Sequence, residues 1–274
     1  MRALVAVSGL VAVVGCATSE PAVEPRRTPY EMTITGSDFA FVAPDTVAAG
    51  VTNITFVNQG PNLHHVQFVR LDSGKVLADL TEAMKTPGPM PAWAIVVPGP
   101  NAPDPGASSN ATVDLTEGNY AVLCLVDIPG GVPHFAMGMV RGLVVKTMEP
   151  TSIVQDSADV RLELAEYSFT LSKPLVAGRQ VIEVLSTGAQ PHEIEIVRFA
   201  PGKTLEDFGK WMAKPEGPPP GNAVGGTSAQ MPGMKPRFTV DLTPGNYAML
   251  CFVPDAKDGK PHLEHGMVQA FTIN

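Results

Sequence analysis

The chain has 274 residues, 44% of them hydrophobic and 17% charged, enough for one large domain or two ordinary ones with their own cores. A net charge of −8 excludes the basic footprint of a nucleic-acid binder, and no internal apolar run approaches the roughly 20 residues of a membrane span. With 27 Pro and 26 Gly, the chain is too turn-rich for a helical protein and not biased enough for a disordered one.

The N-terminus reads as an export signal. Met1-Arg2 is a short positive start, and residues 3–14 are apolar but too short to span. The run ends Val13-Val14-Gly15-Cys16, which resembles the bacterial lipobox. That resemblance implies cleavage before Cys16, diacylglycerol on its sulfur and acylation of its new amino group. Residues 1–15 are therefore expected to be a lipoprotein signal peptide. Residues 16–29, with Pro21, Pro25 and Pro29, read as a Pro-rich tether. Ala17, in place of an Asp, directs the expectation to the periplasmic face of the outer membrane where the cell has one.

The rest of the chain is a repeat. Asn119-Tyr120-Ala121-Val122-Leu123-Cys124 returns as Asn246-Tyr247-Ala248-Met249-Leu250-Cys251, and Pro133-His134 as Pro261-His262. Gly138-Met139-Val140 returns as Gly266-Met267-Val268, and His64 with Val66, Phe68, Val69 and Arg70 as His192 with Ile194, Ile196, Val197 and Arg198. This divides the chain into a first domain over 30–147, a polar linker over 148–159 and a second domain over 160–274.

Within each copy the apolar period is two. Ile54 and Phe56, Leu162 and Leu164, Val181 and Val184, and Phe238 and Val240 sit in short runs between Gly and Pro clusters. The expectation is all-β: two tandem β-sandwiches. Each copy adds one short helix, over 79–85 and 205–213. Each also has a long Pro/Gly-rich loop, over 86–107 and 215–236, which reads as a lid or a poorly ordered segment.

Strand parity turns His64 inward with Val66 and Phe68, and His192 with Ile194 and Ile196. Cys124 shares parity with Tyr120 and Val122, and Cys251 with Tyr247 and Met249. Each copy thus offers an inward His, an inward Cys, and a later Pro-His followed by Gly-Met. Two imidazoles and a thiolate with a thioether as weak axial donor are the ligand set of a mononuclear blue-copper site.

At these residues the chain resembles the cupredoxins, the plastocyanin/azurin-like type 1 copper family, and the resemblance implies a Greek-key topology for both sandwiches. Gly118-Asn119-Tyr120 with Cys124, and Gly245-Asn246-Tyr247 with Cys251, match its G-x-Y-x3-C strand. His134 through Met139 and His262 through Met267 match its H-x3-G-[LM] ending. The resemblance implies copper held by His64, Cys124, His134 and Met139 in the first domain, and by His192, Cys251, His262 and Met267 in the second. Met137 and His265 are alternative ligands. Two departures stand out. Nine and ten residues separate Cys from the second His, which suggests more open sites. The residue after the first His is often Asn in this fold, but here it is His65 or Glu193, which puts its hydrogen bond beside the metal in doubt.

The resemblance also bears on catalysis. Six His, without an H-x-H pair, are too few for the trinuclear centre of a multicopper oxidase. Once type 1 ligands are assigned, only His65 and His265 remain, short of the three that a second nitrite reductase copper needs. The expectation is a non-catalytic, lipid-anchored copper protein that carries electrons or handles copper. Its partners would be a redox or copper-delivery protein and the membrane, and it would not bind nucleic acid. The other class is a metal-free cupredoxin-fold repeat that binds a partner or stiffens the envelope.

Overall fold

A computed structural model describes residues 29–86, 88–128, 130–148 and 157–274. The expected signal peptide, the lipidated Cys16, the tether up to residue 28 and the linker over 149–156 lie outside the described residues.

The first half contains β1 (Tyr30–Ser37), β2 (Ala40–Val42), β3 (Thr46–Ala48), β4 (Gly50–Asn58), β5 (Gln67–Leu71), α1 (Leu77–Ala83), β6 (Ala94–Val97), β7 (Ser108–Leu115) and β8 (Gly118–Leu123). A two-rung hairpin, β9 (Asp127–Ile128) and β10 (Val132–Pro133), and then β11 (Val140–Lys146) complete it. The second half contains β12 (Val160–Ala165), β13 (Ser168–Leu171), β14 (Gly178–Ser186), β15 (His192–Phe199), α2 (Leu205–Ala213), β16 (Gly221–Gln230), β17 (Arg237–Leu242), β18 (Gly245–Leu250) and β19 (Val268–Ile273).

Each half is a two-layer sandwich closed over one core. In the first, Ile34, Ile54 and Phe56 from one layer meet Phe68, Tyr120 and Val122 from the other. In the second, Leu162, Leu164 and Val184 meet Ile194, Ile196 and Met249. Period two holds at Ile182 and Val184, while Val181 falls on the half-buried face. Residues three apart cannot share one side of a pleat. In both halves the aromatic of the Gly-Asn-Tyr motif anchors a turn. The Tyr120 hydroxyl donates to the Thr116 carbonyl (2.8 Å) and that of Tyr247 to the Thr243 carbonyl (2.7 Å).

The helices lie close to their expected ranges. α2 starts after Thr204, whose hydroxyl accepts from the Asp207 N–H, and Asp207 accepts from the Thr204 N–H in return. α1 begins two residues earlier than expected, because the Asp79 carboxylate accepts from the Val76 N–H and so belongs inside the first turn. Each helix covers the outer face of its sandwich: Leu80 lies over Val69, Ala121 and Leu123, and Phe208 over Val197, Ala248 and Leu250.

The long loops differ from expectation. They contain β6 and β16, and the two domains join through them. Just past β6, Pro100 bridges antiparallel to Thr227 of β16. The Ser228 N–H donates to the Gly99 carbonyl (2.9 Å), and the Asn101 N–H to the Gly226 carbonyl (3.1 Å). The Ser228 hydroxyl reaches the Val66 carbonyl at 2.8 Å. The opposite layer is also continuous, as one eight-stranded sheet in the order β13-β12-β14-β17-β7-β4-β1-β2. At the β17–β7 seam the Asn110 amide takes the place of main chain: it donates to the Thr239 carbonyl and accepts from the Thr239 N–H, both at 2.8 Å.

Gly226 is where the first joint is tightest. It has φ +153°, and a Cβ there would stand 2.0 Å from the Ile194 carbonyl oxygen. Gly226→Ala is expected to cost more than about 2 kcal/mol, because backbone must move to relieve the contact. Thermal unfolding of the metal-free protein checks this.

Candidate metal centres

Each centre sits where one layer's strands end. Cys124 follows β8 directly, and its main chain ties down the rest of the site. Its N–H donates to the Met139 carbonyl (3.2 Å), its carbonyl accepts from the Phe135 N–H (2.9 Å), and the Met139 N–H donates to the His134 carbonyl (3.0 Å). His134 opens a single 3-10 turn, His134–Met137, which Gly138 closes at φ 107° in the left-handed region. The second centre repeats this. Cys251 bonds Met267 (3.3 Å) and Leu263 (2.9 Å), Met267 bonds His262 (3.0 Å), and Gly266 closes the turn at φ 98°.

The side chains converge. His64 Nδ1 lies 2.9 Å from His134 Nδ1, which lies 3.5 Å from Cys124 Sγ. His192 Nδ1 lies 3.1 Å from His262 Nδ1, which lies 3.5 Å from Cys251 Sγ. A metal about 2.0–2.1 Å from each nitrogen and about 2.3 Å from the sulfur holds its ligand atoms roughly 3 to 3.6 Å apart. Both groups of three therefore stand at metal-spanning separations. Two imidazole nitrogens, a thiol and a buried thioether alongside are a donor set that fits copper. Met139 and Met267 are fully buried in the same cores as the cysteines. Both cysteines are free.

The alternative ligands do not enter. Met137 is 49% exposed, and the His265 imidazole turns outward to Asp258 (Nε2···Oδ1 3.1 Å). The left-handed glycine reverses the chain just after them, so the methionine beyond it returns to the core instead. The expected openness is also absent: His64, Cys124, His134, His192, Cys251 and His262 are at most 1% exposed. The extra loop residues fold over the sites. They form the β9–β10 hairpin in the first domain and a Pro254–Pro261 bridge in the second.

The hydrogen bond placed in doubt by the missing Asn is present in both domains. His65 Nε2 accepts from the Leu125 N–H (2.9 Å), and Glu193 Oε1 from the Phe252 N–H (2.8 Å). In addition, the His65 and Glu193 N–H groups each lie 3.5 Å from the cysteine sulfur of their own centre. Different side chains thus hold the same main-chain group after the cysteine. Burial pushes the His65 imidazole down to about 4 and the Glu193 carboxyl up to about 7.

The sequence reading missed the acidic partners of the far ring nitrogens. Asp38 Oδ1 lies 2.6 Å from His64 Nε2. Glu166 places a carboxylate oxygen 3.8 Å from His192 Nε2, and Asp255 one 3.8 Å from His262 Nε2, both beyond hydrogen-bond reach. The Asp38 hydrogen bond favours the His64 tautomer that leaves Nδ1 free to bind a metal. A signal existed: Asp38 precedes His64, and Glu166 precedes His192, by the same 26 residues. In the second domain the Tyr167 hydroxyl donates to Asp255 (2.5 Å), and this bond with that from Gln190 holds the carboxyl well below its usual range.

Burial pushes the Cys124 thiol up to about 12 and raises that of Cys251 as well. It lowers His134 and His262, and His192 to about 4. The thiol proton must therefore leave when metal binds. Between about pH 7.5 and 9, above the ordinary imidazole range and below the thiols, each centre should release one proton and its affinity should rise close to tenfold per pH unit. Competition titrations at several pH values check the slope.

No family model matches the sequence, and no curated protein matches it. Solved structures do. Auracyanin A, a "blue" copper protein from Chloroflexus aurantiacus, is 22% identical over 43% of this chain and 99% of its own, with a TM-score of 0.31. A copper nitrite reductase from Nitrosomonas europaea is 13% identical over 90% of this chain and 94% of its own, with a TM-score of 0.27. A multicopper oxidase is 14% identical over 90% and 88%, with a TM-score of 0.25. This corrects the expectation of a non-catalytic protein. The neighbours include an oxidase and a reductase. The chain is built as two β-sandwich halves in tandem, each with a buried His-Cys-His group at one end.

Proposed function

We propose that the protein is an envelope-anchored copper protein with one mononuclear copper centre in each domain, and that it carries electrons. One observation supports this above the rest: in both domains two Nδ1 atoms and a thiol sulfur stand at metal-spanning separations inside a closed core. Bound there, copper would supply a one-electron couple. His64, Cys124 and His134 would hold it in the first domain and His192, Cys251 and His262 in the second, with Met139 and Met267 as weak thioether donors. The residues around them keep water out and fix the ligands. Main-chain bonds from Cys to Met and from Met to His allow little rearrangement, which suits a site whose ion changes charge without changing place. The partner is a redox protein or one that delivers copper.

Copper-loaded protein should show strong thiolate-to-copper absorption and bind two equivalents. Cys124→Ser and Cys251→Ser should each remove about half of the absorption, and the double variant all of it. Colourless protein without bound copper would instead favour a metal-free repeat.

Anchoring rests on the lipobox-like Val13-Val14-Gly15-Cys16. Lipid on Cys16 would hold the domains at the membrane, since each buried methylene contributes about 0.8 kcal/mol. Cys16→Ala should abolish lipid labelling and move processed protein into the soluble fraction on cell fractionation.

A further inference from the structure

The segment that joins the domains also touches both centres. Asn101 is buried at the seam, 3% exposed. Its amide nitrogen lies 3.1 Å from the Ile194 carbonyl and 3.5 Å from Glu193 Oε2, and the carbonyl of Pro100, just before it, accepts from the N–H of Val66, just after His65 (3.0 Å). His65 and Glu193 are the two residues whose N–H groups lie against Cys124 and Cys251. One series of chain and hydrogen bonds therefore runs from one sulfur to the other: Cys124, His65-Val66, Pro100-Asn101, Glu193, Cys251.

We propose that Asn101 is a positioning residue that couples the two centres, so that a metal ion held at one raises the affinity of the other. The inference rests on both centres binding copper. At each end the contact is double. His65 or Glu193 gives its N–H to the sulfur and takes the N–H of the next residue, so it follows any movement of its cysteine. Pro98 and Pro100, with fixed φ, stiffen the stretch leading to Asn101, and the Asn101 N–H is bonded across the seam to Gly226. Metal at the first centre fixes Cys124, and with it His65 and Asn101. Part of the ordering that the second centre requires is then already complete, which is positive cooperativity. The effect is reciprocal.

The test titrates the full chain with Cu(I) against a chelator of known affinity, beside Cys124→Ser and Cys251→Ser. Each centre is expected to bind at least about five-fold more tightly in the full chain than alone. Asn101→Ser should bring that advantage below two-fold. Equal affinities in the full chain and the single-centre variants would overturn the coupling alone. Absence of binding in both single-centre variants, with none in the full chain, would overturn the copper reading and the coupling with it. A second measurement keeps Asn101 intact. In Cys251→Ser, Cu(I) at the first centre should shift the amide resonances of Glu193 and Phe252 across the seam, and shifts confined to the first domain would overturn the proposal.

Discussion

The structure depends on how the main chain of one cysteine is used in each domain. Cys124 and Cys251 stand just past a core strand, and their N–H and carbonyl groups leave the sheet ladder to hold the following loop. That loop returns a histidine and a methionine to the same place. A buried main-chain group without a partner costs about as much as a lost hydrogen bond, so the loop is pinned at both ends of a short circuit. The ligand atoms are thereby fixed by backbone, and the side chains need only their ordinary rotamers to meet.

Around this shared frame the two domains differ in charge. The first presents Asp38 to a histidine at 2.6 Å and uses a neutral imidazole, His65, beside its cysteine. The second places two carboxylates, Glu166 and Asp255, near its histidines, and beside its cysteine stands Glu193, whose carboxyl burial raises to about 7. More negative charge near a centre favours the higher oxidation state of a bound ion. The repeat therefore supplies two sites of one geometry in unequal electrostatic settings.

The parts legible in the sequence were those with one buried face or a local motif. Ile54 and Phe56 alternate because the other side of β4 is not core, and the spacing of Tyr, Cys, His and Met follows local turns. β5, β8 and β15 are buried on both faces under α1 and α2, so their runs of apolar residues carry no period. β16 was illegible for another reason. Its sequence, with Gly221, Gly225 and Gly226, looks like loop, and it is a strand because it pairs along β15, with one further bridge to Pro100 across the seam. Asn101 and Asn110 gave no signal at all, since their roles depend on contacts with residues more than 90 positions away.

The double seam bears on how this repeat can evolve. β7 and β16 would each be an outermost strand in a lone domain, with unpaired N–H and carbonyl groups open to other chains. Here each is occupied by the other half, through Thr112 with Arg237 and Thr227 with Pro100. Separating the halves would expose these edges to other chains. The duplication is in that sense self-locking: once the two copies shared their sheets, neither could be discarded without exposing the other.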